Sequence, residues 1–213
     1  MFQSRSGWER RTETCMRRIA LFGMGAAIGV GALAFTFWPD SEPDFIAERA
    51  PVRWDEEPLS ERWTRASLRA LETHGAPLIA LVPEDIGDYC PAYGDGGEEV
   101  RKAFWLNLLA SLSYHESTWR PTVSGGDGKW HGLLQILPAT ARGYGCRAGD
   151  EDSLKDGSLN LSCAIRIMAV TVPRDQVISR GFKGIAADWG PFHQERKRLD
   201  MQSYTSALPF CQK

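Results

Sequence analysis

From Glu98 onward, apolar side chains return every four residues: Val100, Phe104, Leu108 and Leu112, with Ala103 and Leu109 widening the stripe. That period belongs to an α-helix with one face turned inward. The next position on the same face is Glu116, so a carboxylate is carried on the buried side of the helix at its C-terminal end. Three effects then act on it in one direction. Desolvation disfavours its charged form, the negative end of the helix dipole does the same, and Trp119 lies close by in sequence. A carboxyl kept protonated near neutral pH is what general-acid catalysis needs. The alternative is a surface glutamate where the helix frays into the loop at Pro121, and periodicity alone does not separate the two.

His115-Glu116 also opens a zinc-protease pattern, which needs a second histidine four residues further along the same helix face. Position 119 is Trp, and His74, His131 and His193 are scattered. No metal and no cofactor is expected.

Ahead of this helix, Ile19 to Trp38 runs for 20 residues without a charge or a proline. As a helix it would reach about 30 Å, the thickness of a bilayer's hydrocarbon core. Arg17 and Arg18 precede it, and Asp40, Glu42 and Asp44 follow it. Positive charge stays inside, so residues 1–18 are expected in the cytoplasm and everything after 38 beyond the inner membrane, in the periplasm. Ala32-Leu33-Ala34 fits a signal-cleavage site, whereas Phe35-Thr36-Phe37-Trp38 prolongs the apolar run as an uncleaved anchor would. Both outcomes stay open.

The organisation that follows has three parts. Residues 1–38 are a basic flank plus signal peptide or membrane anchor, and 39–88 are a tether and a short helical preface. Residues 89–213 are the catalytic domain. Within the middle part, Pro39–Pro58 reads as tether, and Leu59–His74 reads as a helix stopped by Gly75. Pro77–Ile86 is either a strand or a packing arm. With 43% hydrophobic and 24% charged residues, the chain is neither a disordered tail nor a polytopic membrane protein. Residues 1–18 hold five Arg and two Glu, and the remainder carries a net charge of −5. That leaves no basic field outside the N-terminus, and nucleic acid is not expected as a partner.

Cys15 lies before the apolar run, while Cys90, Cys146, Cys163 and Cys211 all lie after it. Four exported cysteines can oxidise. Proximity pairs Cys146 with Cys163 across the Gly149–Asn160 loop, which leaves Cys90 to meet Cys211.

After the Glu116 helix come Ser124, Gly125, Gly126 and Gly128, a loop able to bring backbone close to a ligand. The ordered set Glu116-Ser117-x-Trp119-x-Pro121, that loop, Gly132-Leu133-Leu134-Gln135-Ile136, Pro138-Ala139-Thr140-Ala141, Tyr144-Gly145, Leu154 and Asn160-Leu161 resembles the SLT-type lytic transglycosylases. These are relatives of goose-type lysozyme that cut the glycan of bacterial peptidoglycan. The resemblance spans about Phe104 to Met168, with a weaker echo at Ala186–Pro191.

It implies a mainly helical, lysozyme-like catalytic domain with a cleft between the Glu116 helix and the segment after Gly132. Glu116 would be the sole catalytic acid/base, and Gln135 would stand in the cleft wall rather than serve as a turn residue. Leu133, Leu134 and Ile136 would be core, and Asn160 would pin a loop. Tyr144 either lines the cleft or packs. The implied reaction cleaves the MurNAc–GlcNAc linkage and leaves a 1,6-anhydromuramyl product. The implied partners are peptidoglycan strands, with the inner membrane added through residues 19–38 if that segment is retained.

Two departures stand out. Ser124 follows Glu116 by eight residues and Gln135 follows it by nineteen, each one position away from the family's usual spacing. In the later echo the chain reads Ala186-Ala187-Asp188-Trp189-Gly190-Pro191, without the family's tyrosine. Trp189 either offers a sugar-stacking face or only packs. A hydrolytic muramidase would need a second carboxylate, for which Asp127 is the candidate in the loop, although a loop Asp beside glycines is more often a turn former. A non-catalytic glycan-binding scaffold is the remaining alternative.

Overall fold

The computed structural model describes residues 50–213. The Ile19–Trp38 run, Cys15 and most of the Pro39–Pro58 tether lie outside the described residues. Among the described residues seven helices form in chain order: α1 (Ser60–Glu72), α2 (Ala76–Ala80), α3 (Glu98–Ser117), α4 (Pro138–Gly143), α5 (Glu151–Leu154), α6 (Gly157–Asp175) and α7 (Glu195–Ser206). A two-stranded antiparallel ribbon, β1 (Ser124–Gly125) with β2 (Trp130–His131), stands between α3 and α4. Short 3-10 turns join α6 to α7. The fold is mainly α, as the sequence implies. Among the described residues no helix is long and apolar enough to cross a membrane.

Helix α3 is the axis of the molecule. Val100, Phe104, Leu108 and Leu112 sit on it as the period predicts, but burial does not stop at their stripe. Every residue from Lys102 to Ser113 is buried. Of the buried polar positions, Asn107 and Ser113 are hydrogen-bonded, whereas the Ser111 hydroxyl has no partner. Asn107 Nδ2 donates to the Ala103 carbonyl and its Oδ1 accepts from Tyr204 Oη, while Ser113 Oγ donates to the Ala110 carbonyl. Burying a helix on all sides is costly unless most of its polar groups find hydrogen-bond partners. The one-sided stripe is thus corrected to an all-round core helix.

The expected boundary at residue 88 is not a gap in packing. Val52, Trp54, Trp63, Leu71, Leu78 and Ile79 belong to the same apolar cluster as Phe104, Leu108 and Leu161. The tether reading fails at its C-terminal end because Val52 and Trp54 are buried there, with Trp54 Nε1 bonded to Thr64 Oγ1 at 3.0 Å. Pro77–Ile86 is a packing arm that begins as α2. Its buried Asp85 accepts from the backbone N–H groups of Ile178, Ser179 and Arg180 at 2.7, 2.9 and 2.9 Å, fastening the arm to the turn after α6.

Both expected disulfides are present, Cys146–Cys163 and Cys90–Cys211. The second closes the domain's start onto its end, across a separation of 121 residues. Constraining the unfolded chain in this way contributes about 2–4 kcal/mol per bridge.

Candidate active site

Helix α3 ends abruptly one residue beyond Glu116. Thr118 and Trp119 both take left-handed backbone, with φ of 50° and 55°, and the Thr118 N–H closes the last turn on the Tyr114 carbonyl. Trp119 then folds back over the helix, where its Nε1 donates to the Ala110 carbonyl at 2.9 Å and its ring meets Tyr114 at 5.0 Å. Glu116 is left half-buried at the edge of an open cleft of about 430 Å³.

Burial is the leading influence on Glu116 and pushes its pKa up to about 7, with the positive charge of Lys197 opposing the shift. Desolvation is therefore the dominant effect on this carboxyl. Its neighbour His115 also lines the cleft and donates from Nε2 to Asp200 at 2.8 Å. Burial holds the His115 pKa below its ordinary value, against the pull of Asp200, so the ring is neutral at pH 7. Asp200 in turn takes a two-pronged contact from Arg53, whose guanidinium lies over the rings of Tyr114 and Tyr204 at 4.8 and 5.0 Å. The segment before α1 thus braces the end of α3.

The opposite wall is built by the Gly132–Ile136 turn. His131 and Ile136 exchange backbone hydrogen bonds of 3.1 and 3.0 Å, which reverses the chain within six residues. Gly132 is required there. Its φ is +81°, and a Cβ would stand 2.1 Å from the Leu154 carbonyl and 2.4 Å from Asn160 Nδ2. Asn160 pins the turn with three bonds of 2.9 Å, accepting from Leu134 N–H and donating to the carbonyls of His131 and Leu154. Leu133, Leu134 and Ile136 are core.

The structure brings Glu116, Gln135 and Trp189 to one cleft, joined by Trp130, Asp188 and Lys197. Gln135 donates through Nε2 to the carbonyls of Gly132 and Val123, so its amide is locked and its Oε1 faces Gly125. A Cβ at Gly125 would come within 2.5 Å of that oxygen. Trp189 is 4% exposed and donates to the Leu134 carbonyl at 2.9 Å, so packing is its main business. The aromatic that presents a face is Trp130, 45% exposed on β2 and covering Gly126.

Ser124 and Tyr144 are not among the cleft-lining residues. Ser124 Oγ is spent on His131 Nδ1 at 2.9 Å, holding the ribbon together, and Tyr144 is half-buried against the core. Asp127 is exposed at the ribbon's turn, with φ of 56° between two glycines, as a turn former would be. Asp188 is the carboxylate that shares the cleft, and burial raises its pKa, with Asp175 adding to the rise and Arg174 opposing it. Among the described residues no group of His, Cys, Asp and Glu converges as a metal site requires.

The sequence profile described as "Transglycosylase SLT domain" matches residues 96–174, the stretch holding α3, the ribbon, the Gly132–Ile136 turn and Asn160. Over that stretch the chain is similar to the SLT-type lytic transglycosylases. Curated relatives agree with the SLT assignment. A membrane-bound lytic murein transglycosylase F of Serratia proteamaculans is 33% identical over 119 residues, which are 55% of this chain and 24% of that protein. One from Yersinia enterocolitica is 36% identical over 98 residues, 45% of this chain and 20% of that protein. The chain therefore spans a quarter or less of these relatives' length. Among solved structures, wild-type Bd0314 DslA superposes with a TM-score of 0.70 at 27% identity, covering 76% of this chain and 98% of that one. That superposition is longer than the profile match, which spans residues 96–174.

Proposed function

We propose that this protein is a peptidoglycan lytic transglycosylase that cleaves the MurNAc–GlcNAc bond and leaves a 1,6-anhydromuramyl end. The observation that carries this reading is the pKa of about 7 for Glu116, set by burial at the edge of an open cleft within an SLT domain. One group must serve as acid and then as base, and a pKa near the working pH suits both halves.

In the first half, protonated Glu116 gives its proton to the oxygen leaving the muramyl carbon. The substrate's own N-acetyl group stabilises the positive charge that develops there, so no carboxylate nucleophile is required. In the second half, Glu116 as carboxylate takes the proton from the 6-hydroxyl of the same sugar, which closes the anhydro ring. Lys197 is placed to favour the carboxylate form between the two steps. Trp130 offers the stacking face for a sugar ring, and Gln135 shapes the wall. Peptidoglycan places this work in the periplasm, with residues 19–38 either removed or retained as an inner-membrane anchor.

Hydrolysis is the second reading, and Asp188 favours it by bringing a second carboxylate into the cleft. A carboxylate there would activate water in place of the internal hydroxyl. The test of the enzyme assignment is glycan release from purified peptidoglycan by the full chain and by Glu116→Gln. Gln keeps size and polarity without a carboxylic proton, so release should fall by at least about 10²–10⁴-fold. An undiminished rate would remove Glu116 as the acid/base of either reading, and absence of release by wild type and variant alike would leave a glycan-binding scaffold.

A further inference from the structure

On the surface between α1 and α6, a cavity of about 370 Å³ is lined by Arg69, Arg147 and Arg166. Its other polar walls are Thr73, His74, Ser158 and Ser162. Its lining includes no acidic residue. Among the described residues none of the three guanidiniums is paired with a carboxylate. Asp156, beside Ser158, is already taken by Arg62 at 2.6 Å. Three like charges therefore converge on one concavity without internal compensation, in a chain whose residues after 18 carry a net charge of −5.

The arrangement is built into the fold. Cys146 and Cys163 both line the cavity, and their disulfide ties the Arg147 segment to α6. Arg166 follows Cys163 by three residues, which puts the two on the same face of α6. Arg69 and Thr73 are four apart at the end of α1 and share a face in the same way. His74 donates from Nε2 to the Ser162 carbonyl at 2.9 Å and closes the seam between the two helices.

We propose that this cavity is a binding site for a phosphate group. Guanidinium forks match oxyanions, and three of them with the neighbouring hydroxyls supply more donors than the roughly four lone-pair sites of one carboxylate can accept. A phosphate carries three terminal oxygens and a charge of about −1.5 to −2 at pH 7, which answers both the donor number and the charge. The site lies apart from the Glu116 cleft and shares no lining residue with it.

The test is titration calorimetry of the full chain with inorganic phosphate, glycerol phosphate and acetate at constant ionic strength, on wild type, Arg147→Gln and Arg69→Gln. Both arginines are exposed, so neither substitution opens the core. Phosphate should bind more tightly than acetate, and each substitution should weaken it about tenfold. Tighter binding of glycerol phosphate than of inorganic phosphate identifies an ester-bearing ligand such as a lipid headgroup, and the reverse order identifies the free ion. Absence of saturable phosphate binding, equal affinity for acetate, or unchanged affinity in both variants overturns the proposal. Glycan release by Arg147→Gln should match wild type, which separates this outcome from any failure of the Glu116 assignment.

Discussion

Lys197, on α7, lines the same cleft as Glu116, on α3, and its charge opposes the burial that lifts the Glu116 pKa to about 7. The two residues are 81 positions apart, and together they set the proton affinity of the candidate acid. Lys197→Met should therefore raise that pKa further. For kcat/KM the free enzyme must hold the proton, so activity falls as pH rises through the Glu116 pKa. In the variant this fall should move to higher pH by about half a unit. An unmoved alkaline limb would mean that Lys197 does not act on Glu116.

The same shift has a stability consequence with a definite sign. The native state holds the Glu116 proton up to pH of about 7, whereas the unfolded chain releases it near 4.5. The native state thus binds more protons between these values, and stability is lost as pH rises through that window. Glu116→Gln removes the penalty of a buried charge. It should unfold at higher temperature than wild type at pH 8, by about 2–4 °C for each kcal/mol gained, with the gap closing at pH 4. Thermal melts at the two pH values check this, and an equal gap at both would contradict it.

Asn160 and Gly132 hold the wall that faces Glu116. Asn160→Ala leaves the Leu134 N–H and two carbonyls without the partner that satisfied them inside the core. Each such group costs about 1–3 kcal/mol, so chemical denaturation should report a loss of about 3–5 kcal/mol. Gly132→Ala should be at least as damaging, because the new methyl meets the Leu154 carbonyl and the backbone is left-handed. A loss below about 1 kcal/mol in either variant would show that the turn does not depend on these contacts.

How much of this could be read before the structure varies with the kind of signal. The Val100–Leu112 period located α3, and it put Glu116 at the right end of it. It did not reveal that α3 is buried on all sides, because Asn107 and Ser113 look like surface residues in a pattern, while in the fold both donate to carbonyls of the helix and Asn107 also accepts from Tyr204. Gln135 lines the Glu116 cleft and Asn160 pins the turn beside it, both through local turn geometry that a sequence motif can carry. Ser124 and Tyr144 belong to the same ordered resemblance and are not among the cleft-lining residues. Asp188 lies within the Ala186–Pro191 echo, where no spacing to Glu116 marks it as a cleft carboxylate. Trp130 sits two residues before the Gly132–Ile136 motif, and the polar loop around it hid an aromatic face. Lys197 had no signal at all: it belongs to a polar helix, and only the tertiary fold brings that helix to the cleft.

The most direct test of the central claim is the mass of the muropeptides that the wild-type chain releases from purified peptidoglycan. Intramolecular attack by the 6-hydroxyl predicts products ending in 1,6-anhydromuramyl sugar, one water lighter than hydrolysis products, and Asp188→Asn should leave that product in place. Products with a free reducing end, lost when Asp188 is changed to Asn, would contradict the account and make the enzyme a muramidase.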